Sequence, residues 1–438
     1  MMNDRIILDV HERPKSVMAW IFMSLQHVFA MFGATVLVPI LTGLPVGVTL
    51  IASGIGTLIY IAFTKAKSPV FLGSSFAFIL AIQASTVTNL DGTKDFSAAY
   101  FGLMAVGVIY VVVGIIIKFV GSDWIKRLLP PVVVGPMILI IGLVLAPMAI
   151  NSAGLTGGAG YEAQLIALIT FVTVIIASIY AKGLVKIIPF LIAIIVGYVS
   201  SLILGVVNFK DVFSGVTFFI LPDFHLVGTY GMNLTAVLMF TPIAFVTIAE
   251  HIGNHTVLGQ IIGRDLIKDP GLDNTLLGDG IATFVSAAMG GPANTTYGEN
   301  TGVVAMTKVA SVWVTGLAAI FAIMLGFFGY IQAFILSIPN GVLGGMTIVL
   351  YGLIAANGVK VLVEEKVDLV NMRNLIIVGA MLVIGLGGAS IQLNSSVSLS
   401  GMSLAALVGI ILNVILNSKK RQKKQTKIPK EIETAFSK

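Results

Sequence analysis

Long apolar segments, separated by short polar ones, follow one another along the whole chain. Residues 104–120, 131–150, 185–206, 307–328 and 400–417 are each nearly uncharged over about the length of a helix that crosses a bilayer. The pattern predicts 14 spans, at approximately 17–40, 47–64, 68–88, 98–120, 131–150, 163–181, 184–206, 232–258, 275–290, 296–307, 309–328, 341–356, 373–389 and 400–417. Spans 3 and 10 are short or interrupted by polar residues.

The composition agrees with this pattern. Of the 438 residues, 57% are hydrophobic and 11% are charged, whereas a soluble globular domain carries about 25% charged residues. The chain is therefore predicted to be an all-α polytopic membrane protein. It has no cysteine, so it has no disulfide. Residues 1–17 lack the apolar region and cleavage site of a signal peptide, so we expect the first apolar segment to remain as a span.

The basic residues fall almost entirely on one side of the predicted spans. With 14 spans, both termini lie on the same side, and of the 26 Lys and Arg residues only Lys94 and Lys210 lie on the other. The positive-inside rule makes the basic side cytoplasmic. The tail at 419–427, KKRQKKQTK, accounts for most of the net charge of +6. We interpret this tail as a solvated topology anchor rather than as a lipid or nucleic-acid binding patch.

The two halves of the chain share weak internal similarity. Three pairs of segments recur in the same order: GSSFAF (73–78) with NTTYGE (294–299), QH (26–27) with EH (250–251), and VVGPM (133–137) with VLGGM (342–346). Each pair is seven spans apart, and because seven is odd the second copy enters the membrane from the opposite side. Inverted repeats with polar-interrupted helices at matching positions are typical of secondary transporters, which bind substrate near the midplane.

Two carboxyl groups, Glu250 and Glu299, lie deep in predicted spans. A carboxylate in the membrane interior is costly and indicates a functional site, although a protonated Glu can also serve as a simple helix-to-helix hydrogen bond. Glu299 lies in GGPANTTYGENTG (290–302), where Pro, Gly and Thr residues interrupt the helix, as do those of KSPVFLGSSFAF (67–78). Unwound backbone at membrane depth lines a cavity or is buried in protein.

These features predict the chemistry of the ligand. Carboxylates accept N–H groups, unwound backbone donates N–H groups to carbonyl oxygens, and the rings of Phe76 and Tyr297 stack on a flat ring. The set suits a neutral heterocycle that carries N–H groups. It does not suit an anion, because no Lys or Arg lies deep in a predicted span.

The segment EHIGNH (250–255) adds further polar groups. Asn254 lies four residues after Glu250 and shares its helical face. His251 and His255 have a spacing at which a metal pair is conceivable, but the Glu and His positions do not form an HExxH motif. A histidine near an acid more often tunes a proton site or caps a helix. Because burial favours the neutral form of a carboxyl group, Glu250 could bind and release a proton during transport.

Span 1 carries two more polar side chains, Gln26 and His27. They either surround the same site or form ordinary hydrogen bonds between helices.

Five segments together resemble the nucleobase–ascorbate transporter family, in its bacterial uracil permease branch. They are SLQHVFAMFGATVLVP (24–39), FLGSSFAF (71–78), AEHIG (249–253), DPGL (269–272) and NTTYGENTGV (294–303). The resemblance covers the chain except its tail. It implies 14 transmembrane segments in two inverted seven-segment repeats, with short antiparallel strands in the broken segments 3 and 10.

The expected organisation follows from this resemblance and the span positions. It comprises a cytoplasmic N-terminus (1–16), a first repeat (17–206; spans 1–4 core, spans 5–7 gate), an extracytoplasmic loop (207–231), a second repeat (232–417; spans 8–11 core, spans 12–14 gate) and a basic cytoplasmic tail (418–438).

The resemblance also implies a function: uracil import coupled to a proton, by alternating access, in a homodimer in the plasma membrane with both termini cytoplasmic. No cofactor, metal or nucleic acid is expected, the proton being the coupling ion. The motifs imply that Glu250 and Glu299 hold the ring nitrogens and a carbonyl edge. The other residues implied at the site are Phe76, Tyr297 and Gly298 as lining, Tyr351 from the gate side, and Ser75 behind the site.

One position departs from the family pattern. Uracil permeases often have His where this chain has Asn254, and Asn cannot titrate. Proton coupling is then expected to rest on Glu250 alone, or His255 takes part from another angle.

Three alternatives stay open at this stage. The first is a purine or xanthine symporter of the same family. The second is an uncoupled facilitator, which would not need two buried acids. The third is a membrane enzyme, which is the least favoured because the sequence offers no nucleophile–base pair and no complete metal set.

Overall fold

In a computed structural model, the protein is described for residues 6–228, 231–394, 397–399 and 401–416. The predicted basic tail, 418–438, lies outside these residues. The helices of the first half are α1 (Val17–Thr42), α2 (Val46–Phe63), α3 (Ile79–Ser85), α4 (Ser97–Val120), α5 (Asp123–Leu128), α6 (Pro131–Val144), α7 (Ala146–Ser152), α8 (Tyr161–Ile179), α9 (Leu184–Ile187), α10 (Pro189–Ile203) and α11 (Phe209–Phe213).

The second half is also mainly helical. Its helices are α12 (Leu234–Ile262), α13 (Leu272–Ala288), α14 (Gly298–Thr307), α15 (Val312–Gly326), α16 (Gly329–Leu336), α17 (Asn340–Glu364), α18 (Met372–Leu386) and α19 (Gly401–Leu416). Among the described residues the short strands are β1 (Leu72–Ser74), β2 (Val87–Thr88), β3 (Lys94–Asp95), β4 (Asn294–Thr296), β5 (Ile391–Asn394) and β6 (Val397–Leu399).

Within the described residues, seven helical segments are long and apolar enough to cross a membrane. They are α1, α2, α4, the segment Pro131–Ser152 formed by α6 and α7, α8, α12 and α17. Five shorter apolar helical segments accompany them: Phe76–Ser85, α10, α15, α18 and α19. The count of 14 spans and their inverted relationship stay predictions.

Strands β1 and β4 pair with each other, antiparallel, in the register Leu72↔Thr296, Gly73↔Thr295 and Ser74↔Asn294. A segment that contains proline separates each strand from the preceding helix: residues 64–71 lie before β1, and residues 289–293, which also contain two glycines, lie before β4. Each strand leads almost directly into a short helix: β1 into a 3₁₀ turn at Phe76–Phe78 and then α3, and β4 into α14. The chain is therefore broken at two places that lie side by side.

Helix α2 supplies hydroxyl groups to the backbone of this break. Ser53 Oγ donates to the Leu72 carbonyl oxygen (2.5 Å), and Thr57 Oγ1 accepts from the Leu72 N–H (2.9 Å). From the other strand, the Asn294 side chain donates to the Ala282 carbonyl oxygen (3.1 Å). Backbone polar groups without a partner are costly at membrane depth. These buried hydroxyl and amide groups thus allow extended backbone within the helical protein.

The most extensive helix contacts fall into two groups. In the first group, α13 packs on α4 and α2, α15 packs on α2 and α1, and α12 packs on α4. In the second group, α17 packs on α6 and α8, α10 on α8, and α18 on α19 and α6. We refer to these two sets of helices as the first and second helix groups. The break formed by β1 and β4 contacts helices of the first group.

Helices α4 and α13 approach closely because glycines face each other. A Cβ at Gly107 would lie 2.6 Å from the Gly280 carbonyl oxygen, and one at Gly280 would lie 2.8 Å from the Gly107 carbonyl oxygen. Small residues allow such contact between membrane helices. The contact places Asp279, next to Gly280, in the interior of the first helix group.

Candidate functional site

A cavity of about 290 Å³ lies between the two helix groups. Its walls combine the two chain breaks, α12 and α14 on one side with α6, α10 and α17 on the other. The lining residues are Phe76, Ala77, Ile138, Ile141, Phe190, Glu250, Asn254, Thr295, Thr296, Tyr297, Gly298, Glu299, Leu350, Leu353, Ile354 and Asn357. The cavity is mainly apolar, with its charged and most of its polar groups on the side of the first helix group.

Glu250 and Glu299 are the charged side chains among these lining residues. Both are partly buried, Glu250 on α12 and Glu299 in the first turn of α14. The first N–H groups of a helix have no partner within it and give its N-terminus a partial positive charge. The cavity thus offers two carboxyl groups beside a set of backbone N–H donors.

Asn254 lies one turn after Glu250 and also lines the cavity. Its amide nitrogen donates to Thr296 twice, to Oγ1 at 2.8 Å and to the carbonyl oxygen at 3.0 Å. The contact fixes β4, and therefore the start of α14, against α12. The shared face of Glu250 and Asn254 that helical spacing predicts is thus present.

Tyr297 lines the cavity although it is largely buried, and its hydroxyl points into the first helix group. The hydroxyl donates to the Ser74 carbonyl oxygen at 2.9 Å and lies 3.2 Å from Thr35 Oγ1. The ring covers Gly73, where a Cβ would overlap it. Phe76 and Gly298, the other two residues expected to line the site, are both partly accessible in the cavity wall.

The residues expected to support the site lie behind its wall. The Asn300 amide donates to the His27 carbonyl oxygen at 3.1 Å and lies 3.1 Å from His27 Nδ1, so His27 anchors α14. The Ser75 backbone N–H donates to the Ala293 carbonyl oxygen at 2.9 Å, and its side chain is buried. Gln26, on α1, does not line the cavity.

Tyr351, expected to contact the substrate from the gate side, does not line the cavity. It is 2% exposed and packs among apolar residues of the second helix group. Leu350, Leu353 and Ile354 of the same helix form this wall, and Asn357 adds an exposed amide. Nothing in the sequence distinguishes Asn357, which is one of several polar residues towards the end of its span.

Asp279 is a third deep carboxyl group, and the predicted spans do not reveal it. A span that begins at 275 places Asp279 among the acids near span ends. Helix α13 instead begins at Leu272, so Asp279 lies two turns inside it, and its side chain is completely buried. Its Oδ2 is 2.8 Å from His251 Nδ1. The signal that could have revealed it is a single acid within the otherwise uncharged stretch 274–298.

His255 is buried and does not line the cavity. Its Nδ1 is 2.7 Å from the His251 carbonyl oxygen, and its Nε2 is hydrogen-bonded to the Tyr60 hydroxyl. The two imidazole rings stack with centroids 4.0 Å apart. In the part of the chain that the structure describes, no group of three or more His, Asp and Glu side chains is arranged to hold a metal ion. His255 therefore faces α2 rather than the substrate.

A second cavity, of about 180 Å³, adjoins the first. Glu299 and Phe190 line both. Its other walls include Lys186, Pro189 and Met306. The distribution of basic residues predicts that Lys186 lies on the cytoplasmic side. Glu299 and Phe190 are the residues that the linings of the two cavities share.

The sequence and the fold are both similar to those of known proteins. A model described as "Permease family" matches residues 18–393. The chain is 46% identical over 416 residues to the uracil permease of Bacillus caldolyticus, covering 94% of each chain. It is 43% identical over 437 residues to the uracil permease of Bacillus subtilis (strain 168), covering 97% of this chain and 99% of the relative. The transmembrane domain of a cyanobacterial bicarbonate transporter, BicA, has a similar fold, with a TM-score of 0.60 at 14% identity, covering 92% of this chain and 99% of that one.

The fold and the site define an integral membrane permease, a transporter rather than an enzyme. Because the family model covers most of the chain and the relatives cover nearly all of it, the family is identified as well. The chain belongs to the nucleobase–ascorbate transporter family.

Proposed function

We propose that the protein imports uracil together with a proton across the cell membrane by alternating access. The observation that carries this proposal is that Glu250 and Glu299 line one cavity, from two different helices, beside the first turn of α14. The relatives at 43% and 46% identity are uracil permeases, which supports uracil as the substrate.

Uracil has two N–H donors and two carbonyl acceptors on a flat, neutral ring. The two carboxyl groups accept its N–H groups, the first N–H groups of α14 donate to a carbonyl oxygen, and the rings of Phe76 and Tyr297 contact its face. The cavity of about 290 Å³ lies at the small end of the usual range for ligand pockets, about 300–1,000 Å³.

The finer architecture belongs to the same proposal. We infer 14 spans in two inverted seven-span repeats, supplied by the seven long and five shorter apolar segments together with α13 and α14. Broken span 3 comprises β1 and α3, and broken span 10 comprises β4 and α14. The antiparallel pairing of the two strands supports the inverted relationship, since each strand begins a half-helix.

The transport cycle moves the two helix groups against each other. The first group is the core that carries the substrate, and the second is the gate; the protein acts as a homodimer in the plasma membrane with both termini cytoplasmic. Uracil binds from outside with Glu250 protonated. Substrate and proton then leave towards the cytoplasmic side, the substrate through the second cavity, which Lys186 and Glu299 line.

Uptake by purified protein in proteoliposomes tests the substrate and the coupling together. We expect labelled uracil to accumulate when the pH outside is lower than inside, a protonophore to abolish accumulation, and uracil entry to alkalinise the medium. A competition panel of uracil, thymine, xanthine and adenine decides the substrate class. Uptake that is insensitive to the protonophore would instead indicate a facilitator, and stronger competition by xanthine would indicate a purine transporter.

Removing Glu299 tests the site itself. We expect Glu299→Ala to abolish uracil binding, measured by calorimetry on purified protein. The matched control is Glu364→Ala, because Glu364 is an exposed carboxylate at the end of α17, far along the helix from the cavity wall. Unchanged binding by Glu299→Ala would exclude this cavity as the uracil site.

A further inference from the structure

A buried series of polar side chains, which we call the relay, lies behind the cavity. None of its members lines the cavity. The relay begins at Asp279 on α13 and His251 on α12, both completely buried. His251 directly follows Glu250, so the two side chains point about 100° apart around α12. Glu250 faces the cavity, whereas His251 faces α13 and α4.

From His251 the relay continues towards the loop that follows α2 and ends at Ser68, whose side chain is buried. His255 Nδ1 must carry a hydrogen, since its partner, the His251 carbonyl oxygen, can only accept. His255 Nε2 is hydrogen-bonded to the Tyr60 hydroxyl, which is 2.9 Å from Ser68 Oγ. Ser68 follows Lys67, a partly exposed residue on the side predicted to be cytoplasmic.

The inner end of the relay is the pair formed by Asp279 and His251. The contact between His251 Nδ1 and Asp279 Oδ2 holds one proton. His251 Nε2 and Asp279 Oδ1 are buried and have no hydrogen-bond partner among the residues described. A second proton can therefore be bound at either of these atoms. Ionisable groups at membrane depth are costly and therefore mark functional sites, among which proton relays built from Asp, Glu and His are a known class.

We propose that Asp279 and His251 form a second proton-binding site of the transporter, and that His255, Tyr60 and Ser68 connect this site to the cytoplasmic surface. The proposal rests on the proton coupling proposed above. It adds to Glu250 a store and an exit for the proton that do not pass through the substrate cavity. Uracil and the coupling proton then leave by different routes.

The hydrogen bonds of the relay can form both with and without the extra proton. When His255 is neutral, its Nε2 accepts from the Tyr60 hydroxyl. When Nε2 is protonated, it donates to the Tyr60 oxygen and the Tyr60 hydroxyl donates to Ser68 Oγ. The Ser68 hydroxyl, which is buried at the end of the relay, gives its proton to a water molecule that must enter beside Lys67. Each group gives up one proton and receives one, so a single proton is released. The two imidazoles stack rather than hydrogen-bond through their ring nitrogens, so a ring must rotate to pass the proton between them.

The groups around the two imidazoles come from four helices. Asp279 lies on α13 and Tyr60 on α2. Tyr110 of α4 packs edge-on to His251, with ring centroids 6.4 Å apart, and Glu250 is the neighbour on α12. In the described part of the chain, no Lys or Arg forms an ion pair with any of them. Proton occupancy is therefore set by Glu250 and Asp279 rather than by a fixed positive charge.

Two transport assays separate proton conduction from substrate binding. Uracil counterflow at equal pH exchanges substrate without net proton movement, whereas accumulation driven by a pH gradient requires it. Both are measured on full-length protein in proteoliposomes, with a trapped pH dye to follow acidification. We expect Tyr60→Phe, which removes only one hydroxyl, to retain counterflow and to lose gradient-driven accumulation and acidification. Asp279→Asn is expected to behave in the same way.

A matched control is Tyr198→Phe. The Tyr198 hydroxyl is also hydrogen-bonded to a serine, Ser337 Oγ at 2.8 Å. Tyr198 lies in the second helix group and is not part of the relay. We expect this variant to retain counterflow, accumulation and acidification.

Wild-type accumulation and acidification by Tyr60→Phe would overturn the proposal, as would a loss of counterflow in this variant, because Tyr60 would then act on binding or folding. Uracil accumulation by the wild-type protein without acidification would overturn the proton coupling itself, and the relay with it.

Discussion

The side-chain amide of Asn254 holds Thr296 at two points, its Oγ1 and its carbonyl oxygen, 2.8 and 3.0 Å away. This contact joins the helix that carries Glu250 to the strand that precedes Glu299. Asn254 also lines the cavity. Its position therefore makes it a positioning residue for the pair of carboxyl groups, independently of any proton transfer.

Replacing Asn254 with Ala removes both hydrogen bonds. Each is worth about 1 kcal/mol, so we expect uracil Kd, measured by calorimetry, to rise by up to about 30-fold. Asn254→Asp, which has the same shape but cannot donate, is expected to bind as weakly. The control is Asn374→Ala, which removes a comparable amide bond, to the Asp368 carbonyl oxygen at 2.9 Å, on the exposed surface. Wild-type affinity in both Asn254 variants would contradict a positioning role.

Gly73 is covered by the Tyr297 ring, whereas Gly298 follows Tyr297 in the chain and lines the cavity, and the two glycines differ in the space around them. A Cβ at Gly73 would overlap the Tyr297 ring, whereas one at Gly298 has no neighbouring atom within 4 Å. Overpacking costs about 1–3 kcal/mol, so we expect Gly73→Ala to lower the thermal stability and to displace Tyr297, with loss of uracil binding. We expect Gly298→Ala to keep the thermal stability of the wild type and to weaken binding only through its methyl group in the cavity. Equal stability of the two variants would show that the Tyr297 ring is not fixed against β1.

The sequence is sufficient to predict the broken segments and two of the three deep acids. Polar residues are costly in a long apolar run, so Glu250, Glu299 and the helix-breaking residues around them stand out from the sequence alone. Asp279 does not stand out in the same way, because an error of a few residues in the start of its span moves it from the interior to the end. Its partner, His251, lies 28 residues earlier and on another helix.

The sequence also does not predict which face of a helix meets the cavity. Tyr351 and Asn357 lie six residues apart on α17, which is about 240° around the helix. Either face is chemically reasonable for a nucleobase site. Packing of α17 on α6 and α8 decides which face meets the cavity, and such packing depends on close contacts of backbone and glycines in three helices at once. The structure turns Asn357 to the cavity and Tyr351 into the second helix group.

Cysteine labelling tests this rotation of α17 directly. The chain has no cysteine, so a single introduced thiol reports without background. We expect Asn357→Cys to react with a thiosulfonate reagent and to be protected by uracil, whereas Tyr351→Cys is expected to stay unreactive because the position is 2% exposed. Labelling is measured by mass spectrometry on purified protein. Reaction of Tyr351→Cys with protection by uracil would indicate that the opposite face of α17 meets the substrate.

Glu250→Gln separates the binding of uracil from the binding of the proton. Glutamine resembles protonated Glu in shape and hydrogen bonding but cannot ionise. If Glu250 binds the coupling proton, this variant should bind uracil with a Kd that no longer depends on pH, retain counterflow and lose gradient-driven accumulation. Calorimetry at a series of pH values and the two transport assays measure these outcomes. Tyr60→Phe makes a useful comparison, since it should keep the pH dependence of binding that Glu250→Gln removes. Accumulation of uracil by Glu250→Gln against the uracil concentration gradient would show that the coupling proton binds elsewhere, because this variant has no titratable group at position 250.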